Sequence, residues 1–334
     1  MSGWIESEYF ATDMGTLCRG DVMDCLETIP DRSVQCCVTS PPYYGLRDYG
    51  TDGQIGLEDT PEAFVECMVQ VFREVRRVLR DDGTLWLNLG DSYANTPVGR
   101  FNGGGTVLNN RALDGHGSSG KMDKLKASGL KQKDLMMMPA RVALALQADG
   151  WWLRSDIAWC KKSAMPESVT DRPTSAWEHI FLLSKSERYY YNSEAVKVPM
   201  SQATKDRDKS GFSDAFKGQR KGSPTEKRWQ NGRAIEKPSF YKETGANLRN
   251  YWLLGPEPFS DAHFATYPAE IPRRAIKAGT RIGDTVLDPF MGSGTTAEVA
   301  QNLNRRWIGI ELNPEYCAIA KKRISTRAAQ RMLI

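Results

Sequence analysis

The chain has 334 residues, 40% of them hydrophobic and 26% charged, with a formal net charge of +4. That is enough for one large core and an appended subdomain, and it excludes a disordered or fibrous chain. No apolar run reaches membrane-spanning length, and MSGWIESEYF lacks the basic-then-apolar layout of a signal peptide, so a cytoplasmic protein with no membrane partner is expected.

In chain order, Gly15–Gly20 and Val34–Thr39 read as short strands, the second (VQCCVT) like one buried on both faces. Pro61–Leu79 places Phe64, Met68, Val71, Val75 and Val78 at helical spacing. Asp81-Asp82-Gly83 is expected to stop that helix, with a strand following over Thr84–Leu89. Residues 95–134 are rich in Gly, Ser and Asn and read as a long functional loop or a disordered one. Pro139–Gln147 reads as a helix opened by proline, and Trp151–Cys160 and Glu178–Ser184 read as strands. The last third returns to strand, turn, helix and strand: Thr285–Leu287, GSGTTAEVAQ, Arg306–Ile310. This alternation argues for a parallel α/β sheet.

The charge is unevenly placed. Residues 187–250 hold fourteen Lys and Arg against eight Asp and Glu, and the remainder of the chain is slightly acidic. A confined basic excess interleaved with Phe212, Phe216, Trp229, Phe240 and Tyr241 fits a region that meets a polyanion. Seven cysteines without a zinc-type CxxC pair read as reduced core thiols. Three scattered histidines (His116, His179, His263) supply no ligand cluster, so no metal is expected, and His179 reads as a core histidine.

The strongest chemical signal is DTVLDPFMGSGTTAEVA. Gly292-x-Gly294-x-x-Ala297 follows an apolar strand and opens a helix, the context in which glycines let a backbone approach a ligand at a helix N-terminus. Nineteen residues after Gly292, at the end of the next strand, Glu311 can accept two ribose hydroxyls. An adenosine-containing cofactor is therefore expected. Nicotinamide sites usually place this unit first in their domain, whereas here it comes near the C-terminus.

The second signal is TSPPYYG, where the buried strand 34–39 ends. Pro41 and Pro42 fix the backbone and remove two donors, so the Ser40 hydroxyl and Pro41 carbonyl are presented as acceptors with little freedom. Tyr43 offers a ring face for stacking, and Tyr44 either assists or packs.

With SPPY early and DPFMGSG late, the sequence resembles the permuted β group of site-specific DNA amino-methyltransferases. The resemblance covers most of the chain. It implies a Rossmann-like, circularly permuted α/β sheet: a catalytic half over 1–186, a target-recognition region inserted at 187–250, and a cofactor half over 251–334. It implies S-adenosyl-L-methionine as cofactor, touched by Asp21, Thr266, Pro268, Asp288, Phe290, Gly292, Gly294 and Glu311. Ser40, Pro41, Pro42 and Tyr43 would hold a flipped base of double-stranded DNA while its amino nitrogen takes the methyl. Ser in the first position of the turn is typical of cytosine-N4 enzymes, whereas adenine-N6 enzymes usually carry Asp or Asn there. An adenine-N6 enzyme and a non-catalytic DNA-binding protein that kept the fold stay open as alternatives. Cytosine-C5 chemistry needs a Pro-Cys nucleophile that is missing here. The same resemblance implies a bacterial or phage-encoded, nucleoid-associated protein, with a cognate restriction endonuclease and a homodimer as open partners.

Overall fold

The computed structural model describes residues 8–46, 50–94, 129–164, 166–200, 245–255 and 267–332. Chain contacts group Asn192–Arg249 as one compact unit and the residues before and after it as another. In the smaller unit, a single turn of tight helix at Glu194–Val196 leads into an isolated antiparallel bridge between Val198 and Ala246.

The larger unit is built on a sheet of nine strands among the described residues. They are β1 (Glu8–Thr12), β2 (Gly15–Arg19), β3 (Val34–Thr39), β4 (Leu79–Leu89), β5 (Trp152–Lys161), β6 (Trp177–Ser184), β7 (Tyr251–Leu254), β8 (Thr285–Asp288) and β9 (Arg306–Glu311). Their order across the sheet is β1-β2-β9-β8-β3-β4-β6-β5-β7. The five central strands β2, β9, β8, β3 and β4 run parallel. β6 runs against both its neighbours, β7 runs with β5, and β1 pairs antiparallel with β2. The first and last parts of the chain thus share one sheet. The early strand β2 lies beyond β9, so strands from the two ends of the chain interleave.

All six residues of β3 are buried, as a central parallel strand requires. Its alternation divides two helical layers. Cys37 belongs to the core shared with helices α1 (Val22–Glu27), α2 (Pro61–Val78) and α3 (Met138–Ala148). Cys36 faces the other way, toward Gly279 of helix α4 (Glu270–Gly279), with Thr84 and Trp86 of β4 beside it. Helix α5 (Thr295–Asn302) packs on α4, β8 and β9, and α6 (Pro314–Met332) on β2 and β9.

Helix α2 forms where the apolar spacing predicts it. Thr60 caps it by accepting from the Ala63 amide at 3.1 Å, with Pro61 in the first turn. Phe64, Met68, Val71, Phe72, Val75 and Val78 are all buried along its inner face. Burying such a side chain stabilises the fold by about 1.5–3 kcal/mol each.

Asp81-Asp82-Gly83 does not separate the helix from the strand as expected. β4 starts at Leu79, directly after α2, and carries the tripeptide as a bulge between its pairings with Val34 and Cys36. The bulge persists because its backbone is satisfied elsewhere. The Asp82 carbonyl accepts from the Gln35 amide and from the Tyr190 backbone, and the Gly83 carbonyl accepts from Lys185. His179 lies half-buried on the sheet face, beside Asp156 at 3.0 Å and between the rings of Trp177 and Phe181. The seven cysteines form no disulfide, and five of them are buried. No described helix is long and apolar enough to cross a membrane.

Candidate active site at the strand switch point

From β3 the chain builds the sheet outward through β4, and from β8 it builds the other way through β9. The carboxyl ends of β3 and β8 therefore flank the point where strand order reverses, where open α/β sheets collect ligands. Ser40 follows the end of β3, and the glycine loop follows the end of β8.

The two ends are bonded together. Thr39 Oγ1 donates to Asp288 Oδ1 at 2.7 Å, and Thr296 Oγ1 donates to Asp288 Oδ2 at 2.5 Å. The Tyr267 hydroxyl also donates to Oδ2 at 3.3 Å and meets Thr296 Oγ1 in a short contact, while the Phe290 amide donates to Oδ1 at 3.1 Å. Asp288 is 2% exposed, and burial pushes its carboxyl above the ordinary range while these donors oppose the shift. Its carboxylate is committed to the protein and braces the loop from within.

Gly292 and Gly294 adopt φ values of 53° and 85°, the left-handed region where a Cβ is penalised. Around Gly294 the space is filled, since a Cβ would come within 3.1 Å of Ala320. Beside Gly292 it is open, with nothing within 4 Å of where a Cβ would stand. The Gly292 amide donates to Glu311 Oε2, and the Asn313 amide to Oε1, each at 2.8 Å. Burial raises the Glu311 carboxyl above its usual range, and these amides pull against that. A carboxylate offers about four acceptor sites, so beside these amides it can still accept a ligand hydroxyl. Open space at the loop, backbone donors at the start of α5 and a carboxylate at the next strand end fit an adenosine-type cofactor.

Asp21 caps α1 by accepting from the Met23 amide at 2.7 Å. It stands two residues beyond Arg19, which is in register with Glu311. The fold thus brings Asp21, Glu311 and the glycine loop to one edge. Phe290 is partly buried against the core, and Pro268 is buried just before α4, where its carbonyl accepts from Ile271. Thr266 lies outside the described residues, as do most of loop 95–134 and of the basic segment.

In the SPPY turn, Pro41 is buried and Ser40, Pro42 and Tyr43 are half-buried. Ser40 Oγ donates to the Tyr43 hydroxyl at 3.2 Å, and that hydroxyl donates to Glu178 Oε2 at 2.7 Å. Glu178 also accepts from Asn88 Nδ2 at 3.2 Å, and its other oxygen meets Lys161 Nζ at 2.6 Å. One edge of the Tyr43 ring lies directly against Gly90. Tyr44 packs, its ring 5.6 Å from that of Phe64, and burial lifts its hydroxyl to about 12.

Sequence reasoning missed Glu178, Lys161, Asn88, Tyr267 and Thr296. Asp91 stands two residues past the end of β4. Its carboxylate accepts from the Ser92 and Met138 amides and so anchors the start of α3.

The family model of N6/N4 DNA methylases matches residues 34–322. Two relatives span nearly the whole chain. The type II methyltransferase M.Cfr9I of Citrobacter freundii is 43% identical, covering 95% of this chain and 90% of its own. The type II methyltransferase M.SmaI of Serratia marcescens is 41% identical, covering 92% and 90%. Among solved structures, the PvuII DNA methyltransferase (cytosine-N4-specific) shares the fold with a TM-score of 0.62 at 19% identity, covering 98% of this chain and 95% of that one. A Thermus thermophilus structure complexed with S-adenosyl-L-methionine does so with a TM-score of 0.55 at 24% identity, covering 93% of each. The chain belongs to the N6/N4 DNA methylase family, enzymes that transfer a methyl group from S-adenosyl-L-methionine to an amino nitrogen of a DNA base.

Proposed function

We propose that this DNA amino-methyltransferase modifies N4 of cytosine within a specific double-stranded sequence. The observation that carries the reading is the placement of Ser40-Pro41-Pro42-Tyr43 beside the Asp288–Gly294 loop, tied by the Thr39–Asp288 bond. A serine at position 40 is the short acceptor that suits a pyrimidine amino group, and the PvuII enzyme that shares the fold is cytosine-N4-specific by name.

S-adenosyl-L-methionine, when bound, supplies an electrophilic methyl that the amino nitrogen can attack directly. The chain's own residues do the rest by positioning and desolvation. Ser40 Oγ and the Pro41 carbonyl accept from the amino hydrogens and draw the nitrogen lone pair out of conjugation with the ring. Pro42 holds the turn rigid, and Tyr43 stacks on the extruded base. On the cofactor side, Glu311 takes the ribose hydroxyls and Asp21 sits toward the adenine. Phe290, Gly292 and Gly294 shape the cradle, Asp288 braces it, and Thr266 and Pro268 line the methionine end. The basic segment 187–250 reads the duplex, so DNA affinity falls steeply with salt. A cognate restriction endonuclease and a homodimer are the further partners this reading carries.

Mass spectrometry of nucleosides from unmodified DNA treated with the enzyme and donor tests the target. N4-methylcytosine is expected, and N6-methyladenine would transfer the assignment to the other amino group. Ser40→Ala should bind cofactor normally and lose most turnover; undiminished methylation would remove the turn from the mechanism.

A further inference from the structure

We propose that Glu178 is a positioning residue that sets the direction of a hydrogen-bond relay and thereby keeps the Ser40 oxygen an acceptor. The proposal rests on the assignment of Ser40 to the target amino group.

A hydroxyl can either donate or accept, and a serine beside an amino group is useful here only if it accepts. Nothing in serine itself fixes that choice. The relay does. A carboxylate has no proton to give, so at 2.7 Å from Glu178 Oε2 the Tyr43 hydroxyl must be the donor. Its single proton goes to that charged acceptor in preference to Asn88 Oδ1, which stands at 3.4 Å. The Tyr43 oxygen is then the acceptor for Ser40, 3.2 Å away. With its proton committed to Tyr43, the Ser40 oxygen meets the site through its lone pairs alone.

The anionic end of this chain is built into the sheet. Glu178 is the second residue of β6, one position from His179, which is in register with Leu89 of β4. It therefore lies beside the end of β4, at Asn88 and just before Gly90. Lys161, the last residue of the neighbouring β5, places Nζ 2.6 Å from Glu178 Oε1, and the two side chains are 33% and 14% exposed. Asn88 Nδ2 donates to Oε2 and to the His179 carbonyl, which fixes that amide's orientation and adds a second donor to the carboxylate. The Lys161 cation on one oxygen and the Asn88 amide on the other thus hold the carboxylate in place as their common acceptor.

Glu178→Gln tests the direction with little change of shape. A glutamine amide can donate to the Tyr43 oxygen, which lets the relay run backward and turns the Ser40 proton toward the base. The single-turnover rate of methyl transfer at saturating donor should fall roughly tenfold or more, about 1.4 kcal/mol in the barrier. Equilibrium binding of S-adenosylhomocysteine, which a general folding defect would disturb, should stay as in the parent. Tyr43→Phe cuts the same relay at its middle link. In that background Glu178→Gln should have little further effect, because the two residues act through one path.

A Glu178→Gln enzyme with the parent rate overturns the proposal. So does an equal loss in both backgrounds, which would mean that Glu178 acts elsewhere. Should Glu178→Gln fail to fold, Tyr43→Phe alone decides, and an undiminished rate there refutes the relay. Failure of the underlying reading looks different: Ser40→Ala would then methylate normally, whatever Glu178 does.

Discussion

Thr39 Oγ1 and Asp288 Oδ1 lie 2.7 Å apart, joining the last residue of β3 to the last residue of β8 across 249 positions of sequence. One strand end carries the SPPY turn and the other carries the glycine loop, so this bond fixes the two parts of the proposed site against each other. Asp288→Asn keeps the shape but sets two fixed N–H donors toward the Thr296 and Tyr267 hydroxyls, where the acid carries at most one proton. Leaving buried partners unsatisfied costs about 1–3 kcal/mol, and methyl transfer should fall with it, as read by denaturant unfolding and single-turnover assay.

The same substitution carries a pH signature. Burial raises Asp288 in the folded protein, so the folded state binds the proton more tightly than the unfolded chain does. Its contribution to stability is fully present below the unfolded carboxylate value, about 4, and is lost as pH rises through the raised folded value. Glu311 titrates in the same direction but is common to both proteins. The stability advantage of the parent over Asp288→Asn should therefore shrink as pH rises from the acid side. A gap that widens over that interval would contradict the direction of the shift.

Most of the sheet was legible because its strands are written as dense apolar runs between clear breakers. β3, β5, β6, β8 and β9 fall within a residue or two of where their patterns put them. The short elements β1, α1 and β7 were not seen, being too brief to show a period. The candidate site split along the same line. Ser40, Tyr43, Gly292, Gly294 and Glu311 sit in local motifs, so adjacency in sequence exposed them. Glu178 and Lys161 are single polar residues at strand ends, and Glu178 is 135 positions from the tyrosine it holds. Only the strand order β4-β6-β5 brings them to the turn. Asp288 was found by position, but its inward commitment depends on Thr39, Tyr267 and Thr296, which no local motif marks.

The two glycines of the loop should fail differently. Alanine at Gly294 must hold a left-handed φ, costing about 1–2 kcal/mol, and its Cβ would press on Ala320 at 3.1 Å, so thermal stability should drop. Alanine at Gly292 meets no protein atom within 4 Å, so its main effect falls on the open space beside the loop. Gly292→Ala should lose S-adenosylhomocysteine affinity well beyond what its smaller change in melting temperature explains. Equal losses of stability and affinity in both variants would mean that the space beside Gly292 is not ligand space.

Arg323 of α6 grips the loop from behind. Its Nη1 donates to Ser293 Oγ at 3.1 Å and to Thr295 Oγ1 at 2.9 Å, while Nε pairs with Glu298 Oε2 at 2.6 Å. The Arg323 and Glu298 side chains are only 18% and 12% exposed, so removing the guanidinium leaves a poorly solvated carboxylate. Arg323→Ala should destabilise the fold by about 1–3 kcal/mol and weaken cofactor binding. Arg323→Lys should fall between the two, because an ammonium keeps the charge but not the fork. Calorimetric titration with S-adenosylhomocysteine reads both, and parent-like affinity in the alanine variant would show that the loop holds itself.

Gly90 offers the cleanest way to move Tyr43 without altering it. A Cβ there would stand 2.6 Å from Tyr43 Cε2 and 3.0 Å from Cδ2, closer than carbon atoms approach without one giving way. The ring can give way only by leaving its place, because its hydroxyl is tethered to Glu178 and its backbone belongs to the Pro-Pro turn. Gly90→Ala should therefore shift the aromatic face proposed to stack on the base and lower methyl transfer by roughly tenfold or more, about 1.4 kcal/mol in the barrier. The proposed cofactor edge at Asp21, Glu311 and Gly292 is built on other strands, so S-adenosylhomocysteine affinity should hold. A Gly90→Ala enzyme that transfers methyl at the parent rate would mean that the ring's position in this slot is not what the base requires.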